Sequence, residues 1–112
     1  MDAENRDVLA LMGHLYLRLG QAENAESLFA ALSVLYPDEA KHRLAYVCAL
    51  LREKRADTAL GLLDAMALAE RASPAWHLLR AQSLAQLNRL AESRAAMARY
   101  LDSRAKLEAK AT

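Results

Sequence analysis

The fold is decided by the stretch at residues 6–39, which reads RDVLALMGHLYLRLGQAENAESLFAALSVLYPDE. A related pattern recurs without a gap when the chain is shifted by 34 residues. The aligned positions are Gly13 with Val47 and Ala81, Tyr16 with Leu50 and Leu84, Ala25 with Ala59 and Ser93, and Phe29 with Leu63 and Met97. Such a period indicates stacked supersecondary units. We therefore predict a single domain, residues 1–112, built from repeats at 6–39, 40–73 and 74–107.

Each repeat is predicted to be a helical hairpin. Ala and Leu account for 47 of the 112 residues, whereas Val, Ile and Thr together account for five, so the residues that favour strands are scarce. A polar or glycine-containing break, such as Gly20-Gln21 or Asn88-Arg89, separates the two halves of a repeat. The fold class is therefore all-α. Helices are expected near 5–19, 23–36, 39–53, 56–70, 74–87 and 91–109.

Charge and hydropathy narrow the classes of partner. The chain has 15 Lys and Arg against 14 Asp and Glu, and no dense cluster of basic residues, which disfavours nucleic acid and a helical transcription regulator. The longest apolar run, Leu44 to Leu51, is eight residues long, whereas a membrane span needs about 20. The first residues are acidic and polar, unlike a secretion signal. We expect no membrane span and a cytoplasmic location.

Residues able to carry out chemistry are few and scattered. His14, His42 and His77 occupy different positions in their repeats, so they are expected at the surface and not as ligands of one metal ion. Cys48 lies in an apolar run, which favours a packed and unreactive thiol. The sequence contains no glycine-rich phosphate loop. The expectation is a non-enzymatic binding protein with no catalytic residue, cofactor or metal.

The first helix is apolar on almost every side. Its polar stripe is narrow and consists of Asp7, His14 and Arg18. Because no earlier repeat covers this helix, we expect a partner protein to bind it. The residues expected to meet that partner are Val8, Leu11, Leu15 and Leu19. The alternative is that the N-terminal residues or the last helix fold over the first helix.

Two other helices carry informative patterns. In the third helix, Leu44, Cys48 and Leu51 form a second apolar stripe beside the one that packs within its own hairpin. The last helix is rich in charged residues and is expected to be a solvated cap. Its residues expected to pack inward are Met97, Tyr100 and Leu101.

The first repeat resembles a tetratricopeptide repeat, a hairpin with small residues where its helices approach and aromatic residues where they diverge. The residues that carry the resemblance are Met12, Gly13, Tyr16, Gly20, Ala25, Phe29 and Pro37. The second repeat departs from the pattern at Val47, Lys54 and Arg71. The resemblance implies an array with a concave groove. The partner-binding positions of that groove would be Ala10, Leu17, Leu44, Cys48, Leu51, Leu78 and Gln82.

An array of three such repeats with an apolar groove resembles the chaperones of bacterial type III secretion, most of all those of the needle subunit. The resemblance implies that the C-terminal helix of a needle subunit occupies the groove, as an amphipathic helix would. It also implies that a small helical-hairpin co-chaperone covers the first helix. The complex would prevent premature polymerisation of the needle protein in the cytoplasm. The alternative is a translocator-type chaperone or a general repeat adaptor that binds an extended peptide.

Overall fold

The computed structural model describes residues 3–111, and the regular structure over that range is helical. It comprises six α-helices and one short 3-10 helix, with no strand among these residues. The all-α class predicted from the sequence is confirmed there, while residues 1, 2 and 112 of the predicted domain lie outside the described range. The helices form two compact units, the first ending at Arg55 and the second beginning at Ala56. This boundary falls inside the second predicted repeat, 40–73.

The first unit contains three helices, α1 (Ala3–Arg18), α2 (Ala22–Leu35) and α3 (Ala40–Arg52). Helix α2 packs against both α1 and α3. Their core consists of Leu17, Ala25, Phe29, Leu32, Ala45 and Ala49. Gly13 marks the closest approach of α1 to this core, since a Cβ added there would lie 2.6 Å from Cζ of Phe29. The absence of a side chain at residue 13 therefore lets α1 lie against the aromatic ring.

The second unit contains α4 (Ala56–Asp64), the 3-10 helix at Glu70–Ala72, α5 (Pro74–Gln86) and α6 (Leu90–Ala111). Helix α5 packs against both α4 and α6. Their core consists of Leu60, Ala81, Leu84 and Ala96. The hydroxyl of Ser73 accepts a hydrogen bond from the backbone N–H of Trp76, and Pro74 occupies the first helical position. This cap explains why α5 begins where the sequence predicted.

Three turns, 34 residues apart, share one backbone geometry. Gly20, Lys54 and Asn88 have positive φ angles of 76°, 62° and 61°. In each turn, the N–H of the following residue donates to the carbonyl five residues before it, at 2.8 or 2.9 Å. These pairs are Gln21 with Tyr16, Arg55 with Leu50, and Arg89 with Leu84. This is the Schellman ending, which satisfies carbonyls that a helix leaves unpaired.

Helix α4 ends at Asp64, so the predicted end at residue 70 is wrong. The sequence contains no glycine or proline between residues 62 and 70, and nothing local indicates a stop. Instead, side chains from later in the chain take the terminal carbonyls. The Arg71 guanidinium donates to the carbonyl of Asp64, and Nε1 of Trp76 donates to that of Leu63 at 2.9 Å. The other predicted helix ends agree with the structure to within two residues.

We predict that Lys54→Gly raises the free energy of unfolding by about 1 kcal/mol, because glycine adopts the left-handed conformation of this turn without a Cβ clash. Circular dichroism should show a rise in Tm of about 4 °C. The matched control is Lys106→Gly within the right-handed helix α6, which should lower the free energy of unfolding by about 1 kcal/mol. A lower Tm for Lys54→Gly would contradict the described turn.

Candidate interaction surface

Helix α1 and the turn residue that follows it expose a continuous set of large apolar side chains, which we call the α1 stripe. It consists of Val8, Leu11, Met12, Leu15 and Leu19. Their exposed fractions run from 40% at Met12 to 69% at Leu19. Spacings of three or four residues place them on one side of the helix. Four of them, all but Met12, are the partner-binding residues predicted from the sequence. Met12 shares the same side of the helix by spacing, since it lies four residues after Val8 and three before Leu15.

The opposite side of α1 is fixed by packing. Gly13 and Leu17 are buried there, and the centre of the His14 ring lies 5.0 Å from the centre of the Phe29 ring. A guanidinium N–H of Arg52, at the end of α3, donates to the carbonyl of Leu17. These contacts orient the helix, so the α1 stripe is directed away from the core of the first unit.

Arg6 ties the start of α1 to the loop between α2 and α3. Its Nη1 donates to Oε2 of Glu39 at 3.2 Å, and its Cζ lies 5.7 Å from the centre of the Tyr36 ring. The Glu39 carboxylate also lies 3.5 Å from both Nζ of Lys41 and Nε2 of His42. Burial raises the pKa of Glu39, but the charge of Arg6 and the other cations outweigh that effect and hold the pKa below its usual value. The cluster therefore depends on Glu39 being ionised.

His42 is only 2% exposed, so its predicted surface placement is wrong. Its ring centre lies 6.1 Å from that of Tyr36. Burial lowers the pKa of the imidazole, and attraction by Glu39 offsets this only in part. His77 is half-buried, and burial lowers its pKa also, whereas His14 is exposed as predicted. The sequence pattern did not reveal the burial of His42 because its cover comes from a neighbouring loop.

A second charged cluster lies at the turn that follows α3. Nη1 of Arg55 lies 2.7 Å from Oε1 of Glu26 and 3.8 Å from Oε2 of Glu53. Oε2 of Glu53 is buried and has no hydrogen-bond partner among the described residues. Hydrogen bonding to the Glu26 carboxyl, followed by burial and the charge of Glu26, raises the pKa of Glu53. Arg55 thus connects the end of the first unit to α2.

The predicted groove residues of the first unit differ in accessibility. Leu17 and Leu51 are each 6% exposed, and Leu17 belongs to the core. Ala10 and Cys48 pack against the same core but keep part of their surface, and Leu44 is also half-buried. Burial raises the pKa of the Cys48 thiol, which disfavours the reactive thiolate. Accessible surface at the predicted groove positions of this unit therefore comes from Ala10, Leu44 and Cys48.

The predicted groove residues of the second unit both lie on α5. Leu78 is half-buried and Gln82 is exposed. One residue further along the helix in each case, Leu79 and Ser83 are buried. The side of α5 that carries Leu78 and Gln82 is therefore turned away from the buried side of this helix.

Helix α6 presents apolar residues to solvent, contrary to the prediction that they pack inward. Leu101 is 57% exposed and Met97 is 36% exposed, while Tyr100 is partly buried. The helix contacts α5 through small side chains instead, with Ala96 buried and Oγ of Ser93 donating to the carbonyl of Ala81 at 2.8 Å. Small residues allow close packing of the two helices, and the larger side chains are left on the outer side.

No protein-family model matches the sequence, and no curated protein matches it significantly. None of the helices within residues 3–111 is long and apolar enough to cross a membrane. Over the same residues, no three His, Cys, Asp or Glu side chains are placed to hold a metal ion. Most of the exposed large apolar side chains of the first unit belong to the α1 stripe, and the others are Val34 and Leu35.

We predict that stability falls as the pH is lowered from about 7.5 to about 5.5, and that His42→Gln makes this fall smaller. The pKa of His42 is lower in the folded chain, so the unfolded chain binds the proton more readily and gains from acidification. Thermal melts at several pH values give Tm as a function of pH, and the slope of that dependence measures the effect in each variant. The matched control Gln82→Asn changes an exposed side chain that does not titrate and should keep the wild-type slope. An unchanged slope in His42→Gln would contradict the burial of His42.

Proposed function

We propose that the three hairpins form a tetratricopeptide-like array. The support is the recurrence of one turn geometry at Gly20, Lys54 and Asn88, each followed by the same long backbone hydrogen bond. The small residue Gly13 against Phe29 matches the close approach that this repeat uses within a hairpin. Equivalent positions Val47 and Ala81 are also buried. The geometry of each turn thus supports the repeat that the sequence resembles.

We propose that the protein is a non-enzymatic chaperone, and the α1 stripe is the observation that carries this proposal. Full burial of a large apolar side chain stabilises a complex by about 1.5 to 3 kcal/mol, and roughly half of that is available here because the side chains are already partly buried. Five such residues therefore provide several kcal/mol against the cost of association. An amphipathic helix of a co-chaperone is suited to this surface, because it also presents a narrow apolar face.

The client we propose is the needle subunit of a type III secretion system, bound in the cytoplasm before export. Its C-terminal helix would contact the groove positions that keep accessible surface, Ala10, Leu44 and Cys48 in the first unit. Leu78 and Gln82 on α5 stay predicted contacts. We propose no role for nucleic acid, a cofactor or a metal ion. The near-neutral charge of the chain fits a protein partner better than a polyanion.

An adaptor or translocator-type chaperone that binds an extended peptide is the second candidate. The burial of Leu17 and Leu51 favours it, because two of the four leucines predicted to line the groove are then inaccessible to a helix. A helix needs anchors along three or four turns, whereas an extended peptide can use small separate pockets. Titration with a helical peptide of the needle protein and with an extended peptide of the same composition separates the two candidates.

We predict that Leu44→Glu weakens binding of a peptide spanning the last helix of the needle protein more than tenfold. The physical reason is that the carboxylate loses water against an apolar helix and gains no partner. Isothermal titration calorimetry measures the affinity. The matched control is Leu107→Glu on α6, where the leucine is 58% exposed, and it should bind as the wild type does. Wild-type affinity in a folded Leu44→Glu variant would contradict the groove, and no binding by the wild type would contradict the client.

We predict that Leu11→Glu prevents formation of the complex with a helical-hairpin co-chaperone, because residue 11 lies in the middle of the α1 stripe and is 61% exposed. The leucine is open to solvent, so circular dichroism should show an unchanged helix content. Size-exclusion chromatography of the co-expressed pair measures the complex, with Leu107→Glu again as the control. A stable complex with Leu11→Glu would place the co-chaperone on another surface.

A further inference from the structure

The charges beside the α1 stripe are ordered along the helix. Glu4 and Asp7 lie near its start, and Arg18 is its last residue. A step of 100° per residue places Asp7 and Arg18 along the same edge of the stripe. The Asp7 side chain is 65% exposed and pairs with its half-buried neighbour Arg6 at 3.2 Å, while Arg18 is exposed and makes no ion pair among the described residues. Both charges are therefore available to a partner helix.

The order of charges along one α1 helix is complementary to that of a second α1 helix that runs in the opposite direction. In an antiparallel pair of identical helices, each edge faces the same edge of the other helix in the opposite direction. Asp7 then lies opposite the partner's Arg18, and Arg18 opposite the partner's Asp7. The twofold axis passes beside Met12, which lies near the middle of the stripe. A parallel pair would instead set this edge against the opposite edge of the partner helix, which carries no charged residue, so neither ion pair would form.

We propose that the α1 stripe binds the α1 stripe of a second copy of this chain, forming an antiparallel twofold dimer. The apolar residues supply the contact, and the two Asp7–Arg18 pairs set the direction. This inference goes beyond the proposed chaperone function, because it involves neither a needle protein nor a co-chaperone. It explains how five exposed apolar residues are kept from water when no other protein is present.

The length of α1 limits the surface area that the dimer can bury. Helix α1 has 16 residues and is about 24 Å long. One pair of helices of this length buries less surface than a standard interface of about 1,600 Å². We therefore expect a transient dimer, from which a better-fitting helix can displace the second copy.

The test is sedimentation velocity of the full chain over a range of concentrations. We expect a monomer–dimer equilibrium for the wild type. Asp7→Arg and Arg18→Asp should each weaken the dimer roughly tenfold, since either change places like charges opposite each other twice. Combining the two changes in one chain restores both pairs with their signs exchanged, so the double variant should recover the wild-type dissociation constant.

The control is Arg94→Asp at an exposed position of α6 in the second unit, which changes the net charge as Arg18→Asp does and should leave dimerisation unchanged. Circular dichroism melts establish that each variant is folded. The proposal is overturned if the wild type stays monomeric at every concentration. It is also overturned if the double variant dimerises no better than the single variants.

Disulfide crosslinking tests the direction independently. In a Cys48→Ser background, Met12→Cys should form a covalent dimer under mild oxidation, because residue 12 lies beside the twofold axis. Val8→Cys should not, because the two copies of residue 8 lie on opposite sides of that axis. Crosslinking of both variants would indicate a parallel pair and would overturn the proposal, as would crosslinking of neither.

Discussion

The hairpins depend on one backbone constraint, a residue with a positive φ angle in the turn after each of α1, α3 and α5. At Gly20, Lys54 and Asn88 the chain leaves the helix, and the next N–H returns to the carbonyl five residues earlier. The following helix must then start within one or two residues. In the two pairs that pack together, α1 with α2 and α5 with α6, this short connection limits how the second helix lies beside the first, and so determines which sides of the two helices are buried.

The same constraint leaves α1 with more apolar surface than its hairpin can use. Gly13 and Leu17 face α2, and their packing holds one side of α1 in place. The residues on the other side are equally apolar in sequence, but no described element covers them. A helix that is apolar all round is normally found in the middle of a fold. In α1 much of this apolar surface is exposed, and that exposed surface is the reason to infer binding.

In the second repeat, which departs from the tetratricopeptide pattern, a polar side chain ends the second helix in place of the proline. The second repeat has Arg71 where the first has Pro37, and the arginine ends α4 by hydrogen bonding to a terminal carbonyl of that helix. Its guanidinium also lies 5.4 Å from the centre of the Trp76 ring. A proline would end a helix by removing a donor, whereas the arginine adds donors for unpaired acceptors. Two different chemistries thus follow the second helix of successive repeats.

Composition and residue spacing are enough to predict the all-α class, the 34-residue period, most helix ends and the apolar stripe of α1. These follow from spacing and composition within a few turns of chain, which are local properties. Long-range contacts, by contrast, are needed to explain why α4 stops at Asp64, why His42 and Leu51 are buried, and why Leu101 faces solvent. Each of these depends on which neighbour covers a given side of a helix. Helical periodicity places residues on a common side, but long-range contacts decide whether that side meets protein or water.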